Sequence, residues 1–177
     1  MAAASQETEQ HTDESHLKLF GVCVDDSEHS ARAFDWYLNS CHKEGNKLAI
    51  IHIHIPPPLP AVPMYPAGAA IISDEWQRSL QESVDNSRHL IQTLKKKCLK
   101  RKIPYIIFAE TDQGSPGAEI ARIAKDNGIK MLIMGTRAHG ALKRAFLGSI
   151  SDYVVHHAHC PVTVVPPADK PTEEHPQ

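Results

Sequence analysis

The sequence predicts an α/β fold in which one open, doubly wound parallel sheet of five strands carries helices on both faces. Five short apolar runs, rich in β-branched residues, alternate along the chain with longer segments of helical periodicity. Near-continuous apolar runs are typical of parallel strands that are buried on both faces. Parallel neighbours also require right-handed helical crossovers. These observations together predict a Rossmann-like arrangement.

The strands and the first helix have clear signals of their own. The predicted strands cover residues 17–24, 47–55, 103–110, 130–135 and 161–165. Ser27 is a residue type that caps helices, so the first helix is predicted to begin there and to end before Gly45. Its predicted core face consists of Ala31, Phe34, Leu38 and Cys41.

The second helix is predicted to be the longest. It starts at Ser73 and has acidic residues in its first turn, where they complement the helix dipole. Apolar spacings of three and four give it one buried stripe, made of Trp76, Leu80, Val84, Ser87, Ile91, Leu94 and Cys98. The basic run at 95–102 is interpreted as the solvated carboxyl end of this helix, in preference to a nucleic-acid-binding segment.

Two further helices complete the pattern. Pro116 occupies the favoured first position of a helix that begins at Ser115, and Asn127 and Gly128 end it. Ser149 and Asp152 resemble a capping pair for the last helix. The turns that follow the first, second, third and fourth strands then share one edge of the sheet, where folds of this class bind ligands.

Composition limits the class of protein. With 177 residues, 41% hydrophobic and 23% charged, the chain matches a single globular domain rather than a disordered or fibrous one. It has neither a signal peptide nor an apolar run of the ~20 residues that span a membrane, which predicts a cytoplasmic protein without a membrane partner. The four cysteines are far apart and are expected to be buried free thiols.

Charge separates the two ends from the rest. Residues 1–16 contain four acidic residues and no Lys or Arg, and residues 166–177 contain three acidic residues and one Lys. Both segments are predicted to be disordered, which leaves a domain at 17–165. Removing their −4 and −2 from the net charge of −2 leaves +4 on that domain. This balance suits a phosphate-bearing small molecule and is too weak to indicate nucleic acid.

The most informative segment is MGTRAHGALKRAFLGSIS at 134–151. Gly135 ends a buried strand where backbone can approach a ligand closely. Gly148 and Ser149 lead into a helix, whose first N–H groups attract anions. The alternatives are structural: Gly135 would serve a tight turn, and Asp25, after the first strand, would cap the following helix. Lys143 and Arg144 either reach a phosphate from this segment or belong to an exposed turn.

The spacing in this segment resembles the universal stress protein family, and the resemblance extends over nearly all of residues 17–165. ATP-binding members of that family carry Gly, two residues, Gly, nine residues and then Gly-Ser or Gly-Thr. Here Gly135 is followed at that spacing by Ala138 and then by Gly148-Ser149, so alanine stands where the family has its second glycine. VCVDDSEHS at 22–30, IIHI at 50–53 and HCPVTVV at 159–165 also resemble family segments.

The resemblance implies an ATP-binding protein, with Mg²⁺ accompanying the nucleotide. It implies that Asp25 contacts the ribose and that the backbone of Ile53 meets the adenine edge. The implied binding set consists of Val24, Asp25, Ile53, Met134, Gly135, Arg137, Ala138, Gly148, Ser149, Ile150 and Ser151. It also implies a homodimer through the last strand, by way of Val162, Val164 and Val165.

Three functions remain open at this point. The first is a nucleotide-dependent regulatory module of the stress response, with slow ATP hydrolysis at most, since no residue stands out as a catalytic base. The second is a dimeric interaction protein that binds no nucleotide, as Ala138 would allow. The third, an enzyme acting on a nucleotide substrate, lacks a visible nucleophile.

Several other features are interpreted structurally. His52 and His54 are expected on a half-exposed face of the sheet. The histidines near the last helix lack the spacing of a zinc site, so no metal is predicted. The Pro-rich stretch at 56–68 is interpreted as a stiff surface connection, with a lid or a partner-recognition segment as alternatives.

Overall fold

The computed structural model describes residues 17–59, 74–136 and 147–167. Its strands are β1 Lys18–Cys23, β2 Asn46–His54, β3 Tyr105–Thr111, β4 Met131–Gly135 and β5 Val162–Val165. Its helices are α1 Glu28–Trp36, α2 Asp74–Lys100, α3 Pro116–Asp126 and α4 Ser149–His157. Strands and helices therefore alternate in the predicted order.

All strand pairs are parallel, and the sheet has the order β3-β2-β1-β4-β5. The central strand β1 places Cys23 beside Ile51 of β2 and beside Met134 of β4. The chain winds outward from β1 to β3 and then returns to form β4 and β5 on the other side. This arrangement confirms the predicted fold class, and it opens a crevice between the carboxyl ends of β1 and β4.

Each face of the sheet carries two helices and its own apolar core. Helices α1 and α2 cover one face, where side chains such as Phe34, Tyr37 and Leu94 pack on Val22, Leu48, Ile50 and Ile133. Helices α3 and α4 cover the other face, where Ile120, Ile123 and Val154 pack on Cys23, Ala49, Ile51 and Leu132. Burying one large apolar side chain of this kind contributes about 1.5–3 kcal/mol to the free energy of folding.

The buried face of α1 differs from the predicted one at its start. Ala31 is exposed, whereas Ser30 and Ala33 are buried. A polar residue is accommodated there because the Ser30 hydroxyl donates a hydrogen bond to the Asp25 carbonyl at 2.7 Å. Beyond Trp36 the helix widens into one π-helical turn, Tyr37–Cys41.

The predicted helix ends are right for α3 and wrong for α4. Gly128, with a φ of +62°, follows α3 in the left-handed conformation that suits glycine. In α4 the N-cap is Gly148, and Ser149 is already helical and makes no side-chain capping bond. The Ser151 hydroxyl instead donates to the Gly148 carbonyl at 2.9 Å.

Some predictions fall outside the described residues, among them both terminal segments and most of the Pro-rich stretch. The cysteines are free; the predicted burial is right for Cys23 and Cys98 and wrong for Cys41 and Cys160, which are partly exposed. Among the described helices, none combines the length and the apolar character that crossing a bilayer requires.

Candidate functional site

An open cavity of about 440 Å³ lies at the carboxyl ends of β1, β2 and β4, where the crevice was expected. Five segments surround it: the turn between β1 and α1, the end of β2, the start of α3, the end of β4 and the first turn of α4. Its volume is within the usual range of small-molecule sites, about 300–1,000 Å³.

Asp25 lies at the rim of this cavity, in a turn that its own side chain stabilises. Its Oδ1 accepts a hydrogen bond from the Ser27 backbone N–H at 3.0 Å and another from the Ser27 hydroxyl. The Ser27 hydroxyl oxygen in turn accepts from the Ser30 N–H at 3.3 Å, which makes Ser27 the N-cap of α1. The predicted cap is thus confirmed, and the carboxylate is held at a fixed place beside the cavity.

Gly135 brings the end of β4 into backbone contact with the start of α1. A Cβ atom on Gly135 would lie 2.3 Å from the His29 carbonyl oxygen and 2.5 Å from its carbon. No side chain can occupy that space, because main-chain atoms fill it. The glycine is therefore required by packing against α1, as well as by its place beside the cavity.

The first turn of α4 faces the cavity through Gly148, Ser149, Ile150 and Ser151. The first backbone hydrogen bond of this helix runs from the Asp152 N–H to the Gly148 carbonyl at 2.8 Å. The N–H groups that precede it are those that a helix leaves without internal partners, and they carry the positive end of its dipole. This turn is suited to an anionic group.

Thr136 is a cavity residue that the sequence analysis did not assign to the site. Its hydroxyl oxygen is buried and has no hydrogen-bond partner among the described residues. A buried polar group without a partner is unfavourable, and a ligand in the cavity would supply the missing bond. The position directly after Gly135 in the glycine-rich segment was the available signal.

Apolar side chains form the remaining wall. Ile53 and Met134 were predicted here, whereas Ile51, Pro116 and Ile120 were not. The alternation of β2 was a usable signal for Ile51, because it lies on the same face of the strand as Ile53. Pro116 and Ile120 reach the cavity only through the docking of α3 on the sheet.

The structure brings the predicted binding residues together wherever it describes them. Val24, Asp25, Ile53, Met134, Gly135, Gly148, Ser149, Ile150 and Ser151 all line the cavity. Arg137 and Ala138 lie outside the described residues, as do Lys143 and Arg144.

Burial raises the pKa of the neighbouring Cys23 thiol to about 12, so the thiol lining this cavity is protonated at neutral pH.

The predicted half-exposed position is right for His54, which is partly exposed, and wrong for His52, which is buried. Both imidazoles point toward α2, and the His52 side chain is buried beneath that helix. The docking of α2 on the sheet, which strand periodicity does not reveal, is the reason. No three His, Cys, Asp or Glu side chains in the described ranges come together as a metal site.

His54 is expected to make stability depend on pH. Burial, followed by the neighbouring His52, lowers the pKa of the His54 imidazole below its ordinary value of 6.5. The unfolded chain therefore binds more protons at this site below that value, and the free energy of unfolding falls as the pH is lowered from about 7 to about 5.

Urea unfolding of the parent chain and of His54→Asn at several pH values measures this effect. The asparagine amide keeps a donor near Ser87 but does not titrate. We expect a shallower pH dependence in the variant. Parallel curves for the two proteins would contradict the assignment to His54.

Comparisons with known proteins identify the family of this chain. The model of the Universal stress protein family matches residues 17–166. Universal stress protein Slr1101 of Synechocystis is 34% identical over 107 residues, which cover 60% of this chain and 97% of that protein. Universal stress protein PHOS34 of Arabidopsis thaliana is 32% identical over 160 residues, covering 84% of this chain and 61% of that protein.

Solved structures share the fold. A universal stress protein family member from Burkholderia pseudomallei superposes with a TM-score of 0.59 at 18% identity, covering 86% of this chain and 98% of that one. An Arabidopsis thaliana family protein, At3g01520, solved with AMP bound, gives 0.60 at 21% identity and covers 84% and 90%. Because the family model matches nearly all of the chain between its two ends, this protein belongs to the universal stress protein family.

Proposed function

We propose that this protein binds ATP, together with Mg²⁺, in the cavity at the carboxyl ends of β1, β2 and β4. It would act as a nucleotide-dependent regulatory module in the stress response of the cytoplasm. The observation that carries the proposal is the convergence of a fixed carboxylate, an anion-attracting helix start and an unpaired buried hydroxyl on one cavity. A fold neighbour solved with AMP supports an adenine nucleotide as the ligand class.

Each part of the nucleotide has a matching part of the cavity. The Asp25 carboxylate accepts hydrogen bonds from ribose hydroxyls, since a carboxylate is an acceptor. The apolar wall around Ile53 and Met134 encloses the base, and the Ile53 backbone meets the adenine edge. The glycine at 135 and the first turn of α4 hold phosphates, while the Thr136 hydroxyl donates to one of the oxygens.

Fast hydrolysis is not part of the proposal. Among the described cavity residues, the acid is Asp25 and the imidazole is His29. The Asp25 carboxylate accepts two hydrogen bonds from Ser27 and, in this proposal, those of the ribose hydroxyls, and His29 Nδ1 is 3.2 Å from the Arg32 guanidinium, so both groups already have partners. A general base needs to approach an attacking water directly. Turnover is therefore expected to be slow at most, and nucleotide occupancy is the functional signal.

A homodimer through β5 accompanies this function. β5 is an edge strand of the sheet, so one side of its backbone has no neighbouring strand in the described residues. Val162 and Val164 are half-buried and Val165 is buried. A second copy would pair with this edge and cover the two half-buried valines.

Isothermal titration calorimetry of ATP with Mg²⁺ into nucleotide-stripped protein tests the proposal, with AMP and GTP as comparison ligands. We expect one saturable site that prefers ATP to GTP. Absence of both heat and thermal stabilisation at millimolar ATP would contradict it. The dimeric interaction protein without nucleotide, the function that Ala138 leaves open, would then be the better account.

A further inference from the structure

A hydrogen-bonded cluster lies on the side of β2 opposite the cavity. His52 Nδ1 is 2.9 Å from the Val24 carbonyl oxygen, and His52 Nε2 is 3.0 Å from the Ser87 hydroxyl of α2. His54 Nδ1 is also 3.0 Å from that hydroxyl. The Ser87 hydroxyl lies 3.1 Å from the Ser83 carbonyl as well. One serine of α2 therefore contacts both imidazoles.

The chemistry of the partners sets the direction of these bonds. A carbonyl oxygen only accepts, so His52 Nδ1 carries the proton that it donates to Val24. In the neutral imidazole Nε2 is then an acceptor, so the Ser87 hydroxyl has two acceptors within reach, His52 Nε2 at 3.0 Å and the Ser83 carbonyl oxygen at 3.1 Å. Because a hydroxyl has a single proton, His54 Nδ1 must donate to the Ser87 oxygen. His52 Nδ1 and His54 Nδ1 are therefore both donors, and Ser87 contacts both rings.

The carbonyl that accepts from His52 belongs to a residue of the candidate site. Val24 lines the cavity, and its carbonyl is part of the peptide that leads into Asp25. The paired register of β1 and β2 ends at Cys23, so this carbonyl lies beyond the last strand pair. The Val24 N–H still donates to the Ile51 carbonyl at 2.8 Å. The Val24 carbonyl is therefore held by His52, whereas the Val24 N–H is held by β2.

We propose that His52 is a positioning residue for adenine nucleotide binding. Its Nδ1–H fixes the peptide between Val24 and Asp25 and thereby sets the direction of the Asp25 carboxylate. Ser87 contacts the other ring nitrogen, Nε2, and holds the imidazole in its orientation, which links α2 to the site. This inference rests on the proposed nucleotide binding and adds to it a role for a residue on the opposite face of the sheet.

Two substitutions distinguish the roles of the two nitrogens of the His52 imidazole. In His52→Asn the amide nitrogen takes the place of Nδ1 and keeps a donor for the Val24 carbonyl. In His52→Gln the amide reaches the place of Nε2 and loses that donor. We expect His52→Asn to bind ATP within about 3-fold of the parent chain and His52→Gln to bind about 10-fold more weakly, the effect of one hydrogen bond.

The controls separate position from general disturbance. His89→Gln changes an exposed histidine on α2 and is expected to leave ATP affinity unchanged. Ser87→Ala removes the hydroxyl that contacts the His52 imidazole and leaves the imidazole itself unchanged. We expect a loss of ATP affinity of about 3- to 10-fold. It serves as the deciding variant if either His52 substitution prevents folding, which urea unfolding of each protein reveals.

Calorimetry of these variants distinguishes the possible failures. Equal ATP affinities for His52→Asn and His52→Gln, whether both unchanged or both reduced, would overturn the positioning role. Unchanged affinity in Ser87→Ala would overturn the link to α2. If the parent chain binds no nucleotide at all, the proposed function fails and this inference fails with it.

Discussion

Gly135→Ala is expected to abolish nucleotide binding and to lower the free energy of unfolding by about 1–3 kcal/mol. The added methyl group would lie 2.3 Å from the His29 carbonyl oxygen, well inside van der Waals contact. A main-chain atom cannot rotate away as a side chain can, so α1 would have to move off β4. That movement would also displace the turn that holds Asp25. Calorimetry with ATP and urea unfolding measure the two effects.

Gly148→Ala is the matched control for the effect on stability. A Cβ at Gly148 would meet the Ser151 hydroxyl at 3.6 Å, an ordinary contact. Alanine is a poorer N-cap than glycine, so we expect a loss of less than about 1 kcal/mol in the free energy of unfolding. A Gly135→Ala protein as stable as the parent chain would show that β4 and α1 do not pack as described.

Asp25→Asn is expected to weaken ATP binding by about 10- to 100-fold while leaving folding stability nearly unchanged. Hydrogen bonds to a charged acceptor contribute about 1.5–3 kcal/mol, and the amide that replaces the carboxylate has lost that charge. The amide oxygen can still accept from the Ser27 N–H and hydroxyl, so the turn before α1 is retained. Calorimetry measures the affinity, and thermal unfolding without nucleotide measures the stability.

Asp26→Asn provides the control for charge. Asp26 is the exposed neighbour of Asp25 and does not line the cavity, so its replacement alters the net charge equally. We expect it to leave ATP affinity within about 2-fold of the parent chain, because exposed charges are screened. Similar losses in both variants would show that net charge, rather than the Asp25 carboxylate, affects binding.

Local sequence signals were sufficient to predict the fold and the edge of the sheet at which the candidate site lies. The apolar runs predicted all five strands, because buried parallel strands carry that pattern on both faces. The glycines and the acid were predicted to lie at one edge because parallel strands end on the same side. Asp25, Gly135 and Gly148 accordingly lie around a single cavity. Their role in binding nucleotide stays a prediction.

The misplaced residues depend on contacts between distant segments. Ala31 was predicted to face the core, yet it is exposed, and Ser30 is buried instead because its hydroxyl finds a backbone partner. His52 was assigned to a half-exposed face and is buried, because strand periodicity does not reveal which helix covers a strand. Pro116 and Ile120 join the cavity wall only once α3 has docked. Such contacts are set by tertiary packing, which leaves no local pattern in the sequence.

The alternation of side chains along β2 makes this strand sensitive to the insertion or deletion of a residue. Ile51 and Ile53 face the cavity, and the intervening His52 faces α2. Loss or gain of one codon near the start of the strand would turn the imidazoles into the cavity and the isoleucines against α2, since side-chain direction has a period of two. Insertions and deletions should therefore be confined to the loops on either side of Asn46–His54. A single substitution within the strand changes only the face on which its side chain lies.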